Sequence, residues 1–551
     1  MRTRRPTRRL LPALALAALP TLHAGATVVD IDQPTTRLLR ETDNTYFPQF
    51  DFEFVTSIRT ISATPDGGFL VNAKTGTSFG DNYTLASGST IIPQLAKDHV
   101  FGDIDGQSGA TLLTEDTAPI TQIGGTDYYR VQFSNKIGYN PANASFIYGA
   151  DIDTQPDAPT PADRLSAIFL GDSPAIIEGD ALPTGSGFVG ANNDGLSFVA
   201  SAGNTAYYKA SYTSAGVADG RGLFSTDGDV LLYTGKTLGP SGNSIQDKDF
   251  AIGNTHFSDN GAFYVTDADV GVGTSQGALV INGQVATTPT GTFFREGDLL
   301  VAGGTERLDN ISQVAINNAG KWAAGGWTDA ATNEDAIFID GEVAFREGDI
   351  LPKVGGGFGA PLAGLPQYLD INNAGDVLFY FGSSSNNGTG ALVLNGTVIV
   401  EVGDPVGPDT INKFSIGEVA ITDRGPDNVV QVYFEATDSG AFDSNSAGVY
   451  HVAIELAPLA LPGDTDGDGD IDDSDLGTAF SNYTGPLTPG TGGKTAADGD
   501  TDGDGDVDDT DLGTLFSSYT GPLSPGAVPE PASALLLFTG LIACARRRRV
   551  D

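Results

Sequence analysis

The chain has 551 residues, a formal net charge of −41 and one cysteine, Cys544. So acidic a surface repels nucleic acid and anionic lipid, which excludes nucleic-acid binding as the expected function. One cysteine excludes an internal disulfide, so stability must come from packing or from bound metal. The 73 glycines and 30 prolines predict many short strands and turns.

The N-terminus has the three parts of a secretory signal peptide. Basic residues precede an apolar run at 10–22, and small residues follow it and end at Ala26. The run is shorter than the about 20 residues that a membrane span requires. We therefore predict a signal peptide at residues 1–26, with Ala26 as its processing site, and an exported protein.

Residues 27–461 carry a loose repeat of turns and apolar strands. The repeat begins with an Asn/Asp-x-Gly turn, at intervals of roughly 50–65 residues. The turn glycines are Gly195, Gly261, Gly320, Gly375 and Gly425. A second strand in three of the units ends at a pair typical of two-residue hairpins. These pairs are Asn282-Gly283, Asp340-Gly341 and Asn395-Gly396.

Repeats of roughly 55 residues with three or four short strands are typical of β-propeller blades, and the length allows about seven of them. The predicted fold is therefore mainly β, with a propeller-like body at 27–461. A stack of β-sandwiches is the alternative, since it also consists of short alternating strands. The body resembles the propeller-like repeat ectodomains of exported bacterial proteins.

The body offers little that is typical of a catalytic site. Glu296, Glu347 and Glu401 recur at equivalent places, in or near Arg-Glu-Gly-Asp strings. Equivalent placement favours a role in turns, because a catalytic carboxylate pair needs two unlike environments. Two Gly-x-Ser-x-Gly strings, at Ser78 and Ser275, lack the helix that a nucleophile elbow requires. We predict no catalytic residue and favour a non-catalytic body.

Two acidic loops of twelve residues follow the body, 36 residues apart. Each has glycine at position 6 and a β-branched residue at position 8, the spacing of an EF-hand calcium loop. The candidate metal residues are Asp464, Asp466, Asp468, Asp470, Asp472, Asp475, Asp500, Asp502, Asp504, Asp506, Asp508 and Asp511. We predict that these loops bind two Ca²⁺ ions. The alternative is an acidic linker without metal.

Helical spacing of apolar residues follows each loop, and it predicts one apolar face per copy. The faces are Leu476, Ala479, Phe480 and Tyr483, then Leu512, Leu515, Phe516 and Tyr519. A calcium loop and one helix, repeated, resemble the type I dockerin module, which we place at 462–522. The resemblance implies that positions 1, 3, 5 and 12 of each loop ligate calcium.

Dockerins dock onto cohesin modules through loop positions 10 and 11, so the resemblance also implies a cohesin-like partner. These positions hold Asp473-Ser474 and Asp509-Thr510. The family often has a Ser-Thr pair there and basic residues in the helix, which these helices lack. Calcium binding therefore carries over from the resemblance better than cohesin recognition does.

The C-terminus contains Pro529, Glu530 and Pro531, an apolar run at 532–545 and four arginines at 546–549. This order resembles the PEP-CTERM sorting signal of exported bacterial proteins. The resemblance implies that an exosortase-type enzyme cuts near the three named residues, between a linker at 523–531 and a hydrophobic helix at 532–551. A permanent transmembrane anchor is the alternative.

Together these features predict a secreted or surface-sorted calcium-binding protein with a non-catalytic interaction body and a docking module. The expected location is the cell surface, the outer envelope or the extracellular matrix. The alternative function is a carbohydrate-active enzyme, a polysaccharide hydrolase or lyase, attached to an extracellular complex by its dockerin-like module. The expected partners are a cohesin-like protein, an exosortase-type enzyme and extracellular polysaccharide.

Overall fold

The structure is a computed structural model. It describes residues 28–40, 54–63, 69–76, 95–97, 121–123, 125–140, 142, 145–154, 165–171, 173–181, 188–189, 196–214, 217–239, 241–246, 252–271, 276–382, 390–407, 409–425, 427–439, 447–457, 463–465, 471–485, 492–501 and 505–519. The predicted signal peptide and the C-terminal tail, with Ala26, Pro529, Glu530 and Pro531, lie outside the described residues. The chain forms two compact units, Met1–Leu456 and Ala457–Asp551.

The described part of the first unit consists of antiparallel sheets, numbered here along the chain. Strand β1 (Val28–Arg40) belongs to the seventh sheet. The first sheet contains β2 (Phe54–Ala63), β3 (Phe69–Gly76) and β4 (Leu95–Lys97). The second contains β5 (Thr121–Ile123), β6 (Thr126–Asn140), β7 (Ser145–Asp153), β8 (Leu165–Leu170) and β9 (Ser173–Ile177). The third contains β10 (Phe188–Val189), β11 (Leu196–Ala202), β12 (Thr205–Ser214), β13 (Val217–Ser225) and β14 (Val230–Tyr233).

The remaining sheets follow the same up-and-down order. The fourth contains β15 (Ser244–Ile245), β16 (Ile252–Phe257), β17 (Tyr264–Gly271), β18 (Gln276–Ile281) and β19 (Gln284–Val285). The fifth contains β20 (Leu308–Ile316), β21 (Trp322–Thr328), β22 (Asp335–Ile339) and β23 (Glu342–Arg346). The sixth contains β24 (Leu365–Ile371), β25 (Val377–Gly382), β26 (Gly390–Leu394) and β27 (Thr397–Glu401). The seventh contains β28 (Pro405–Val406), β29 (Asp409–Ile421), β30 (Val429–Asp438) and β31 (Gly448–Leu456) with β1.

The seven sheets form a closed ring. Their innermost strands, β2, β6, β11, β16, β20, β24 and β29, each contact the next, and β29 contacts β2. The N-terminal strand β1 completes the seventh sheet by pairing antiparallel with β31, from Val28 opposite Leu456 to Arg40 opposite Gly448. The body thus contains seven consecutive sheets, and strands from its two ends close the ring. This arrangement confirms the predicted mainly β, propeller-like body.

The core lies between successive sheets, which explains why some central strands are apolar at every position. All six residues of β25 are buried. Because side chains alternate between the two faces of a strand, Phe379 packs on Phe345 of the fifth sheet, whereas Tyr380 packs on Phe414 of the seventh. Ring centroids lie 5.1 and 4.8 Å apart in these two pairs. A strand covered on both faces needs a continuous apolar run.

The predicted hairpin pairs form tight turns in the fourth, fifth and sixth sheets. Asn282, Asp340 and Asn395 have positive φ angles of 46, 48 and 48°, and the glycine after each also has positive φ. This backbone is typical of type I′ hairpins. Each side-chain Oδ1 accepts a backbone N–H of the neighbouring strand, from Tyr264, Trp322 and Val377 respectively. These contacts confirm the three predicted hairpins.

The recurring acidic residues are bound into turns, as the sequence predicted. Asp180, Asp349 and Asp404 each accept a hydrogen bond from the backbone N–H three residues earlier, at 2.8–2.9 Å. Glu296 accepts the N–H of Gly277 at 2.9 Å. These carboxylates satisfy backbone donors at the strand ends, which accounts for their repetition.

The second unit contains two α-helices, α1 (Asp473–Asn482) and α2 (Asp509–Ser518), and a short 3₁₀ helix at Ala496–Asp498. Within the described ranges, no helix has the length and apolar character of a membrane span. The predicted hydrophobic helix at 532–551 lies outside them.

Asp335, which is buried at the start of β22, is expected to make the unfolding free energy of the body depend on pH. Burial and, to a smaller extent, the charges of Glu347 and Glu334 raise its pKa to about 6. Since the pKa of an unfolded Asp is about 3.9, the folded state retains a proton that the unfolded state loses between about pH 4 and 6. The carboxyl therefore lowers the unfolding free energy progressively as pH rises through this window.

We expect Asp335→Asn to leave stability almost unchanged at pH 4 and to stabilise the body increasingly up to pH 6–7. Urea unfolding of both proteins at pH 4, 5, 6 and 7 measures this difference, and the pH 4 comparison is the internal control. A difference in unfolding free energy that does not change with pH would contradict the raised pKa of Asp335.

Candidate functional site

The candidate metal loops are joined to their helices by aspartates that cap the helix N-terminus. Asp472 accepts the backbone N–H of Ser474 at 2.7 Å, and Asp475 accepts the N–H of Asp472 at 2.8 Å. The second copy repeats this capping box with Asp508 and Asp511. Such reciprocal bonds satisfy backbone donors that a helix start leaves unpaired. The aspartate at position 9 of each loop is thus the N-cap of the helix, and the aspartate at position 12 completes the capping box.

The position 12 aspartates also hold the beginning of each loop. The Oδ1 of Asp475 accepts both the backbone N–H and the hydroxyl of Thr465, at 2.6 and 3.0 Å. Asp511 binds Thr501 in the same way, at 2.7 and 3.1 Å. Each loop is therefore closed between its second and twelfth positions.

The loop carboxylates are buried to a degree that is unusual for charged groups. Asp475 is fully buried and Asp511 is 1% exposed. Among the described loop residues, Asp464, Asp500 and Asp506 are also buried. Carboxylate oxygens of Asp506, Asp508 and Asp511 all lie within 4.8 Å of one another.

Carboxylates gathered away from water are costly unless a cation compensates them. An all-oxygen donor set of this kind suits a hard cation such as calcium, so the residues present fit the predicted ion. The other predicted ligands, Asp466, Asp468, Asp470, Asp502 and Asp504, lie outside the described residues.

The two copies pack on each other with reciprocal contacts. Tyr483 donates its hydroxyl to Asp509 at 2.8 Å, and Tyr519 donates to Asp473 at 2.9 Å. A shared core lies between the copies and contains Ile471, Ala479, Val507 and Leu515, with Leu476 and Leu512 partly buried. Because each tyrosine binds the first helical residue of the other copy, α1 and α2 are related by an approximate two-fold axis.

Part of the predicted apolar face is exposed. Phe480 and Phe516 are 54% and 58% exposed, and Tyr483 and Tyr519 are about 40% exposed. The centroids of the two phenylalanine rings lie 6.3 Å apart in a T-shaped arrangement. The apolar spacing correctly predicted a helix in each copy. The other copy covers only part of each apolar face, namely Leu476 and Ala479 in α1 and Leu512 and Leu515 in α2.

A second candidate site is the channel at the centre of the ring. It has a volume of about 550 Å³ and is lined by residues of the seven innermost strands. Three carboxylates from three different sheets line it: Asp259 follows β16, Asp370 lies on β24 and Asp423 follows β29. The Nδ2 of Asn373 donates to Asp259 and to Asp423, at 2.8 Å each. This amide therefore links the fourth, sixth and seventh sheets.

His256 and Asp370 face each other in the channel, with Nε2 and Oδ1 3.7 Å apart. Burial and, to a smaller extent, the charge of Lys136 lower the pKa of His256 to about 4. Burial raises the pKa of Asp370 to about 6, against hydrogen bonds from the backbone N–H groups of Ile421 and Ile371. Asp423 adds a smaller increase. At neutral pH the channel therefore holds a neutral imidazole beside a carboxylate.

Sequence reasoning missed this channel. The Asn/Asp-x-Gly turns that contribute Asp259, Asn373 and Asp423 were recognised, but only as strand connections. Their equivalent positions in successive repeats were the available signal, because equivalent turns of a closed ring meet around its axis. Asp370, two residues before its sheet's Asn-Asn-Ala-Gly turn, carries no repeat signal.

The solved structures similar to this chain include three with low identity. The Dos1 propeller is 8% identical, with a TM-score of 0.25, and the match covers 58% of this chain and 73% of that one. A protein of unknown function from Dyadobacter fermentans DSM 18053 is 10% identical, with a TM-score of 0.25 and coverage of 78% and 99%. A subtype N11 neuraminidase-like protein of A/flat-faced bat/Peru/033/2010 (H18N11) is 9% identical, with a TM-score of 0.29 and coverage of 78% and 97%. At these TM-scores the fold assignment rests on the strand pairing described above.

Among curated proteins, none matches the chain. One protein-family model matches, the PEP-CTERM protein-sorting motif, at residues 527–549. The matched range includes Pro529, Glu530 and Pro531, and it implies recognition by an exosortase-type enzyme. The chain thus carries a C-terminal PEP-CTERM sorting motif on a propeller-like body, as an exported protein sorted to the cell surface.

Proposed function

We propose that this surface-sorted protein binds two calcium ions in its C-terminal module and uses its body for interaction rather than catalysis. The observation that carries the proposal is the repeated burial of the position 12 aspartates, Asp475 and Asp511. Each closes its loop through the same bonds, so the two copies offer the same oxygen donors. In the mature protein Asp464, Asp466, Asp468 and Asp475 would hold one ion, and Asp500, Asp502, Asp504 and Asp511 the other. Bound calcium would compensate the negative charge of these carboxylates.

The exposed aromatic residues support the further proposal that the module docks onto a protein partner. Phe480 and Phe516 lie on the two helices, Tyr483 and Tyr519 follow them as C-caps, and together they form an apolar area beside the acidic helix starts. Aromatic side chains are enriched at protein interfaces. Together with the resemblance to dockerins, this area favours a cohesin-like partner.

The hydrogen bonds of the recurring carboxylates support an interaction role for the body. Glu296, Asp349 and Asp404 satisfy backbone donors in turns, which favours a structural role for these repeated carboxylates. A body of this kind can present extracellular polysaccharide or protein to the cell surface without chemical change.

Calcium stoichiometry tests the proposal. We expect isothermal titration of the full chain, first treated with chelator, to give two calcium ions per protein, with dissociation constants of about 10⁻⁴–10⁻³ M because position 12 is the short Asp. Asp475→Asn and Asp511→Asn should each remove one ion. Asp473→Asn, which changes an exposed carboxylate of the same helix, is the matched control and should retain both. Retention of two ions in all three variants would refute the assigned loops.

A further inference from the structure

The exposed face of the C-terminal module is built twice from the same residues. Phe480 and Phe516 are 54% and 58% exposed, and a glycine lies three residues before each of them, at Gly477 and Gly513. Apart from the helix itself, no described residue has an atom within 4 Å of the position that a Cβ would take at either glycine. We define the docking face as these four residues together with Tyr483 and Tyr519.

The two glycines favour a segment that packs closely on the helices. Glycine inside a helix is destabilising relative to alanine, and here it recurs at the same place in both copies although an alanine would meet no neighbour. A Cβ at Gly477 or Gly513 would stand between the helix backbone and anything that lies on the face. Bare backbone beside an exposed aromatic ring therefore suits a tightly packed apolar occupant.

The charged groups of the two helices are all acidic. Asp473 and Asp509 are exposed at the helix starts, and each accepts a tyrosine hydroxyl of the other copy through only one of its oxygens. Neither α1 nor α2 contains lysine or arginine. Lys494, which lies between the helices in sequence, pairs with Asp498. The docking face is therefore complementary to an apolar segment that ends in positive charge.

The chain itself contains a segment of this chemistry. An apolar run at 532–545 is followed by four arginines at 546–549. Residues 520–531 connect this run to Tyr519, the last described residue. Twelve extended residues reach about 40 Å, whereas a helix of ten residues is about 15 Å long. The apolar run can therefore reach both helices of the docking face.

We propose that the apolar run at 532–545 covers the docking face until the sorting motif is processed. The arginines at 546–549 then lie near Asp473 and Asp509. Removal of the run uncovers Phe480 and Phe516, so that only sorted chains offer the docking face to a protein partner. This inference rests on the docking role proposed above and makes that role depend on sorting.

The single cysteine of the chain, Cys544, lies in the apolar run and reports whether the run is covered. We expect a maleimide to label Cys544 about tenfold more slowly in the calcium-loaded full chain than in the same chain carrying Phe480→Ser and Phe516→Ser, because labelling requires the run to leave the face. Phe358→Ser is the matched control. Phe358 is 73% exposed on the body, so this variant should label as slowly as the unchanged chain.

A second pair of variants tests the contacts of the arginines. Asp473→Asn combined with Asp509→Asn should raise the labelling rate about threefold at low salt and hardly at all at high salt, because exposed ion pairs are weak and are screened. Each asparagine retains an oxygen that accepts the tyrosine hydroxyl, so the packing of the two copies is preserved. A rate that the double variant leaves unchanged at low salt would overturn the placement of the arginines.

Ser481→Cys gives a measurement that leaves both phenylalanines in place. Ser481 is exposed next to Phe480, so mild oxidation should join position 481 to Cys544 within one molecule. Ala497→Cys, at an exposed position of the 3₁₀ helix outside the docking face, is the control and should form little of this disulfide. Equal disulfide formation by both variants would overturn the proposal.

Calcium stoichiometry, measured on the same samples, separates this inference from the proposed function. Two bound ions together with rapid labelling of the unchanged chain would overturn the covering of the face and leave the calcium sites in place. Equally slow labelling in all phenylalanine variants, or protection that disappears on dilution, would also overturn it, because the run would then be buried by association between chains. Absence of calcium binding would contradict the proposed function, and the labelling rates would still decide whether the run is covered.

Discussion

Removal of calcium is expected to unfold the C-terminal module and to leave the propeller-like body folded. Fifteen aspartates and one lysine lie between residues 464 and 511, so the loops repel themselves when no ion is bound. Asp475 and Asp511 are buried in the folded module, where that repulsion is strongest. Calcium binding and folding should therefore be one equilibrium.

Packing alone cannot maintain the module. Its shared core consists of Ile471, Ala479, Val507 and Leu515, with two partly buried leucines. Burying a large apolar side chain contributes about 1.5–3 kcal/mol, whereas ordering the backbone costs about 1–2 kcal/mol per residue. The exposed phenylalanines, Phe480 and Phe516, reduce the apolar contribution further. The free energy of ion binding must supply the difference.

Far-UV circular dichroism of residues 457–522, titrated with calcium and then with chelator, measures the effect. We expect helical signal to appear with calcium and to disappear with chelator. Asp475→Ala and Asp511→Ala should each lower the calcium-dependent change by roughly half. Asp473→Asn should preserve it, because this side chain is exposed and its amide oxygen can still accept the hydroxyl of Tyr519. Equal helicity with and without calcium would identify the loops as an acidic linker.

Replacement of Arg424 by alanine is expected to cost the body about 3–5 kcal/mol of unfolding free energy. The guanidinium binds Asp376 with two bonds, at 2.8 and 2.6 Å, and the side chains are 7% and 0% exposed. Asp376 also accepts the side-chain amides of Asn372 and Asn395. Without Arg424 a buried carboxylate would lose its only cationic partner among the described residues.

Urea unfolding monitored by tryptophan fluorescence gives the difference in free energy. Arg307→Ala is the matched control, because Arg307 is exposed and its guanidinium donates to the carbonyl of Gly297. The control should change stability by no more than about 0.5 kcal/mol. A similar loss in both variants would mean that the sixth and seventh sheets do not depend on the buried pair.

Local chemistry made several features predictable. Asn282-Gly283 and its equivalents predict hairpins because their turn needs positive φ at both residues. The apolar spacing after the acidic loops likewise predicted one helix per copy, although α1 and α2 begin at Asp473 and Asp509, inside the twelve-residue loops. Each of these features depends on residues that are close in sequence.

Features that depend on distant residues were not predictable. The pairing of β1 with β31, the carboxylates gathered by Asn373 and the exposure of Phe480 each depend on elements whose neighbours are set by the closed ring or by the second helix. Periodicity states which face of a helix is apolar, but it does not state how much of that face a partner covers.

The pairing of β1 with β31 also constrains the order of events during export. A chain that crosses the membrane N-terminus first delivers β1 before all other strands, while its partner follows roughly 400 residues later. Until then β1 is an unpaired strand, a recognised starting point for association between chains. The acidic loops and then the sorting motif at 527–549 follow β31 in the chain, so the last blade can be completed before the sorting motif emerges. Sorting at the C-terminus thereby acts on chains whose ring can already close.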